Sequence, residues 1–398
     1  MDVAVGIDVA KEFHWARAIN TTNSELLLDR RVDNRPQALA GLVDELQRLA
    51  GDHGELTVGI DVVGGIAGLV TAMLNDAGLR VVHVSGLAVN RARQGTVGGE
   101  HKSDPRDAGV IADQVRQRRD LRPIDPQSEI DAEIRLLVGR RREVVADQTR
   151  RISRLRDLLA SIFPGLERVI DPSTKASLQL LGRFVTPHEI RQAGRTRLIG
   201  HITKAGRLSR NHVEQLADAA LAAATEQTIA VPGEQTAAEI IRDLVDELIA
   251  GRKRLAAIDA ELENALAGHP DAALIRSLPG MGATLTAEFI AEAGSIDRFP
   301  TADHLAAAAG LAPVLKQSGK VRYLKRATSG NRALKRVFFQ AAFCSLQHPT
   351  SKTFYARKRA ERKTHHQAVI ALARRRVNVL HAMLRNRQPY EVRPAKTA

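Results

Sequence analysis

The chain opens on a short unbroken apolar run, Val3 to Ile7, closed by Asp8. A run of that length bounded by a polar residue predicts a buried strand. Apolar and polar positions then alternate over His14–Ile19 and again over Glu25–Val32, predicting two more strands joined by the polar stretch 20–24. Pro36 opens a segment with Leu39, Leu42, Val43, Leu46 and Leu49 at helical spacing, closed by Gly51. Leu56–Ile60 predicts a fourth strand ending in Asp61. Gly64-Gly65 then turns into a helix to Ala77 that Gly78 caps, and Arg80–Val84 predicts a fifth strand. Three consecutive strands followed by alternating helices and strands predict an α/β domain, a mixed sheet with helices on it, over residues 1–120.

Beyond Pro123 and Pro126, read as a linker, the period changes. Ile134, Val138, Val145, Ile152, Leu155, Leu159 and Ile162 mark one long helix over about 129–163. Ile241, Leu244, Leu248, Leu255, Ile258, Leu262 and Leu266 mark a second over about 236–266. Narrow apolar stripes on charge-rich helices predict a coiled-coil seam, whether with each other or with another subunit. Residues 164–235 between them read as a helical insert without a chemical motif. The organisation is therefore a coiled-coil middle, 121–268, followed by a mainly α carboxy-terminal domain, 269–398.

Composition adds compartment and partner. Of 398 residues, 44% are apolar and 26% charged, which excludes wholesale disorder. A single cysteine, Cys344, excludes an internal disulfide and a cysteine zinc site, and a reducing cytoplasm is the expected compartment. Asp2, Asp8 and Lys11 interrupt the first apolar stretch, and no other stretch reaches 18 uncharged apolar residues. Neither a signal peptide nor a membrane span is expected. The net charge of +14 is uneven. Residues 316–398 carry 21 Lys and Arg against two acids, or +19, which leaves 38 bases and 43 acids, or −5, for residues 1–315. A block so concentrated neutralises a polyanion, and nucleic acid is the expected partner. Phe338, Phe339, Phe343, Leu346, Val369, Leu372, Val379, Leu380 and Met383 interleave with these bases at helical spacing, so the block is expected to fold.

The first domain places acids where metal chemistry would want them. Asp8 and Asp61 each close a Gly-Ile-Asp triplet at a strand end. Asp104 and Asp107 stand three apart, on one face of a helix for which Pro105 is the expected first residue and Asp104 the N-cap. Any one of these reads more simply as a turn or cap. Together, in a strand order with the character of ribonuclease H and Holliday-junction resolvases, they could hold two Mg²⁺ ions for phosphodiester chemistry. A sugar-kinase or actin-type ATPase shares that order, but no second glycine-rich phosphate loop is found.

In the carboxy-terminal domain, Leu278-Pro279-Gly280-Met281-Gly282 resembles a helix-hairpin-helix turn, whose amides, at Gly280 and Gly282, can grip a phosphate. Ser318 lies in a turn between Lys316 and Lys320, with Arg322, Lys325 and Arg326 behind it as candidate phosphate contacts. Locally it reads as an ordinary turn serine. Ser329 reads as capping material for the helix from Ala333. His348, His365, His366 and His381 lack partner acids at ligand spacing and read as surface or phosphate contacts.

Gly6-Ile7-Asp8-Val9-Ala10-Lys11, the segment 102–108, the 278–282 turn and Gln317-Ser318-Gly319-Lys320 occur in one order. Together they resemble the DEDD transposases of bacterial insertion sequences, the "one-ten" family, over blocks of about 1–120 and 269–390. The resemblance implies a resolvase-like (RuvC-like) domain joined through a coiled coil to a serine-bearing transposase domain. It implies a tetrad of Asp8, Asp61, Asp104 and Asp107 binding Mg²⁺, and Ser318 attacking a DNA phosphate to form a phosphoserine link. It also implies donor and target DNA, a non-coding bridge RNA as guide, a homo-oligomer (dimer or tetramer), and a bacterial cytoplasm with the nucleoid as the place of action. The family's second acid is usually glutamate, one methylene longer than Asp61. Two rival readings remain from the residues: a metal-dependent junction nuclease that uses water, and a non-catalytic nucleic-acid-binding protein whose acids are structural.

Overall fold

A computed structural model describes residues 2–95, 101, 103–124, 128–319, 321–325 and 327–391. The chain divides into two compact units, Met1–Ser128 and Glu129–Ala398.

The first unit is a six-stranded mixed sheet in the order β3-β2-β1-β4-β5-β6. Strands β1 (Val3–Asp8), β2 (Phe13–Asn20) and β3 (Leu26–Asp33) form an antiparallel meander. β4 (Leu56–Ile60) and β5 (Arg80–His83) join β1 in parallel, in the register Ile7 opposite Ile60. The parallel pairings need crossovers. Helix α1 (Pro36–His53) supplies the first, and a 3₁₀ turn (Gly65–Ala67) leading into α2 (Gly68–Asp76) supplies the second. Gly51, read as the end of α1, lies inside it; the stop is Gly54, whose φ of +101° only glycine adopts cheaply. Pro123 is likewise no linker residue. It belongs to the two-residue strand β6 (Arg122–Pro123), antiparallel to β5, while Pro126 lies outside the described residues.

Side chains alternate across this sheet. Val3, Val5 and Ile7 pack with α1 and α2, whereas Ala4, Gly6 and Asp8 point to the face covered by α3 (Gly86–Gln94) and α4 (Asp104–Gln117). Two glycines make the seat for α4. A Cβ on Gly6 would stand 2.0 Å from the Ala108 carbonyl, and one on Gly59 would stand 2.4 Å from Val115 Cγ2. The Gly-Ile-Asp triplets thus do two jobs: glycine admits the helix, and the acid two residues on shares its face.

In the second unit, α5 (Glu129–Ile162) and α10 (Glu234–Gly268) pack against each other antiparallel. Arg141–Asp259 at 2.6 Å and Arg151–Glu247 at 2.5 Å bridge them. Between these pairs Gln148 lies buried over Gly251 and donates to the Leu248 carbonyl at 2.9 Å. The α5 stripe differs from the heptad reading at one place: Val144 is buried and Val145 is 40% exposed. A straight helix of 3.6 residues per turn drifts from a seven-residue repeat, and here the drift falls between Val138 and Gln148. One end of the pair joins α6 (Pro164–Val169), α7 (Lys175–Leu181), α8 (Pro187–Ile202) and α9 (Arg210–Glu226) in one core. Its other end joins α11 (Ala272–Ser277), α12 (Ala283–Ala293), α13 (Ala302–Ala308), α14 (Arg332–Cys344) and α16 (His365–Asn386) in a second core, with α15 (Pro349–Ala360) on α16. Between α13 and α14 an antiparallel hairpin, β7 (Val314–Ser318) and β8 (Val321–Lys325), is exposed along its whole length. No described helix is long and apolar enough to cross a membrane.

Candidate active site

Three sheet elements end at one edge of the first unit. Asp8 terminates β1, Asp61 follows the last residue of β4, and His83 terminates β5. The seat made by Gly6 and Gly59 brings the first turn of α4 over that edge, with Asp104 and Asp107 in it. Asp104 is the first helical residue and Ser103 the N-cap position, one residue earlier than expected, so Pro105 occupies the second place. Proline needs no amide partner in either.

Asp61 has a perturbed environment. Burial pushes its carboxyl above the usual carboxylate range, and the Asp107 carboxylate adds to the rise. The backbone amides of Asp61 and Val9, and His83, work against it. Its Oδ1 is buried and has no hydrogen-bond partner among the described residues. His83 Nε2 lies 3.3 Å from the Asp61 carbonyl, tying the ends of β4 and β5 together. Asp107 is also buried, but it is neutralised. One guanidinium nitrogen of Arg93, from the last turn of α3, straddles its two oxygens at 3.0 and 3.1 Å. Asn90 fixes the other nitrogen of that fork at 2.8 Å.

The structure therefore brings Asp61 and Asp107 into electrostatic contact and places Asp8 on the adjoining strand end. Among the described residues, no three His, Cys, Asp or Glu side chains are grouped closely enough to hold a metal ion. The donor set nonetheless suits a hard cation. It consists of carboxylate oxygens, one of them an orphaned buried acceptor beside a second acid. Sequence reasoning missed Arg93 and His83. The histidine left a trace, standing at a third strand end level with two acids; Arg93, one of two arginines in the last turn of α3, left none.

Ser318 belongs to the second unit. It is the last residue of β7, exposed, and paired with Val321 across a two-residue connection in which Gly319 has φ +55°. The expected flexible turn is thus a hairpin tip. Pairing opposite Val321 and Tyr323 puts Ser318 and Lys316 on one face with Lys325, whereas Arg322 alternates to the other. Lys320 and Arg326 lie outside the described residues, as does Lys102.

The 278–282 turn has a packing explanation of its own. Gly280 has φ +88°, and a Cβ there would stand 2.3 Å from the Ala341 carbonyl of α14; Gly282 precedes α12 with open space around it. The cap of α14 is Asn331, whose side chain accepts from Ala333 and Leu334, so Ser329 is not needed for capping. His381 is buried and bonded to the Phe299 carbonyl at 2.8 Å, a structural role in place of the expected surface one.

Two family models match this chain, and both describe transposases: one over residues 5–164, the other over residues 272–356. The chain belongs to the transposase family named for the insertion sequences IS116, IS110 and IS902, and it is a DNA transposase or recombinase by class. It is 41% identical to an uncharacterized 42 kDa protein of insertion element IS900 from Mycobacterium paratuberculosis, covering 99% of this chain and 98% of the relative. A 44.8 kDa protein of IS116 from Streptomyces clavuligerus is 37% identical over 99% of this chain and 97% of its own length. The mini-circle putative transposase for IS117 of Streptomyces coelicolor is 27% identical over 98% and 96%.

Proposed function

We propose that the first unit is a ribonuclease H-like catalytic domain whose Asp8, Asp61, Asp104 and Asp107 form a divalent-metal site, and that Ser318 is the nucleophile that cuts and rejoins DNA. The observation that carries this reading is the buried, unpartnered Asp61 Oδ1, raised in proton affinity beside Asp107 at the strand ends. An acid kept in such a place destabilises the fold unless a cation compensates it. Mg²⁺ is the proposed ion; bound there it would withdraw charge from a scissile phosphate.

Asp61 would hold the ion from the end of β4, Asp104 and Asp107 from the first turn of α4, and Asp8 would complete the set from β1. Arg93 must then give up at least one Asp107 oxygen. On the hairpin, Lys316 and Lys325 share the Ser318 face and would hold a phosphate against the hydroxyl. Serine Oγ attacks phosphorus, a phosphoserine ester forms, and the broken bond releases a deoxyribose oxygen that takes up the proton. Because the ester keeps the phosphate linkage, a second hydroxyl can displace the serine and rejoin a strand without a nucleotide cofactor. The motif resemblance further supports a homo-oligomer acting on donor and target DNA with a bridge RNA as guide, in the bacterial cytoplasm.

Asp61→Asn and Asp107→Asn should each lower Mg²⁺-dependent cleavage by about 10³-fold or more while leaving DNA binding within about twofold. Cleavage at the parental rate in either variant would remove that residue from the metal site.

A further inference from the structure

The middle of α16 carries three consecutive arginines, and each has a different fate. Arg374 reaches out to Asp303 and Asn378. Arg375 lies over the Phe354 ring, 5.1 Å from its centroid. Arg376 turns inward and is 5% exposed. It lies in the wall of a pocket of about 410 Å³ between α15, α16 and the segment 388–391. Among the described residues, its one hydrogen bond is a long one, Nη1 to Ser351 Oγ at 3.4 Å, and no carboxylate pairs with it. Nε and Nη2 have no partner there. Burial pushes the guanidinium down to about 10, which leaves it charged at neutral pH.

A buried, charged fork with two idle donors is costly unless something with several acceptor oxygens visits it. The rest of the pocket says what that something carries. Hydroxyls gather beside Arg376: Thr350 Oγ1 meets the Tyr390 hydroxyl at 3.1 Å and His348 Nδ1 at 3.0 Å. The remaining wall has an apolar part, with Leu278, Leu372, Val379 and Met383, beside the amide side chains of Asn378, Asn386 and Gln388. At the rim the Phe354 ring is flanked by Arg357, Lys358 and Arg375 within 5.1–5.6 Å, an aromatic platform inside a basic collar. Glu391 is the one acid among the described lining residues. The volume suits a small ligand and excludes a duplex.

We propose that this pocket binds one phosphorylated nucleoside, with its phosphate on Arg376 and the Ser351 and Thr350 hydroxyls and its base against the apolar wall. The inference is independent of the catalytic reading, since it uses neither the aspartates nor Ser318. The nucleotide could be free or turned out of a single strand.

Calorimetric titration of the full-length protein tests it with dAMP, inorganic phosphate and a five-nucleotide single-stranded DNA, the last also as a competitor of dAMP. dAMP should bind saturably and more tightly than phosphate. Arg376→Met, which removes the charge at similar length, and Ala382→Leu, at an exposed position on the pocket lining, should each weaken dAMP by about tenfold or more. Competition by the oligonucleotide at lower concentration than dAMP identifies a strand as the source; equal or weaker competition identifies free nucleotide. If Arg376→Met does not fold, Ala382→Leu decides. No saturable dAMP binding by the parent, or dAMP binding unchanged in the folded variants, overturns the proposal.

Discussion

Asp107 and Arg93 show how one residue can hide another's purpose. The acid is buried, and one arginine nitrogen occupies the space between its two oxygens that a cation would otherwise take. Arg93→Met should therefore leave two acids facing each other without a counter-charge, at a cost of about 3 kcal/mol of folding stability in the absence of metal. Millimolar Mg²⁺ or Mn²⁺ should restore part of that loss. Thermal denaturation with and without the ion checks this, and a variant indifferent to divalent ions would deny the acids a shared ligand role. At this scale the sequence displayed its acids and concealed their neighbours. Asp8 and Asp61 stand out because Gly-Ile-Asp recurs at two strand ends. Arg93 on α3 reaches Asp107 on α4, a contact that no local spacing encodes. Caps were misplaced for a related reason: Ser103 and Asn331 each offered a slightly different start from Asp104 and Ser329, and the surrounding packing chose between them.

Among elements, α4 is the one on which the site depends, and two absent side chains position it. Gly6→Ala would drive a methyl into the Ala108 carbonyl and the Ala112 amide, both backbone atoms of the helix. The variant should lose about 3 kcal/mol, and α4 must shift from the sheet edge, so cleavage should fall with stability. Urea denaturation measures the first. A variant as stable as the parent would mean that α4 is not seated as described. The succession of elements and the mixed sheet of the first unit were legible, because three alternating or apolar runs followed by helix–strand units admit few arrangements. β6 was not, since two residues cannot display a period. Of the β7–β8 hairpin only the turn at Ser318 was legible, for a different reason: Val314, Leu315, Val321 and Leu324 are all exposed, so alternation marks no buried face. The α5–α10 pairing was visible as two stripes, and Gln148 with its recess at Gly251 fixed a register that heptad counting placed one residue off at Val145.

For the molecule as a whole, charge divides more sharply than structure. Among the described residues, most of the bases of the region 316–398 sit on folded helices and on an exposed hairpin, as the interleaved apolar positions required. Binding to DNA should weaken steeply with salt. Replacing Lys316, Arg322 and Lys325 together by glutamine should reduce the slope of log affinity against log salt by roughly 2–3. Fluorescence anisotropy over a salt series reads that slope, and an unchanged one would take the hairpin out of the interface. Family membership was legible from four short motifs in order, and the full-length relatives establish it. The proposed joint action of the serine hairpin and the acidic strand ends was not legible, because no local pattern links residues of separate units.

The proposed joint action of Ser318 and the aspartates is the centre of the account, and one measurement reaches it directly: trapping the protein on its element's DNA under denaturing conditions and mapping the attached residue. The account predicts a Mg²⁺-dependent adduct on Ser318, absent from Ser318→Ala and from Asp61→Asn. Normal strand transfer by Ser318→Ala, or an adduct on any other residue, would contradict it.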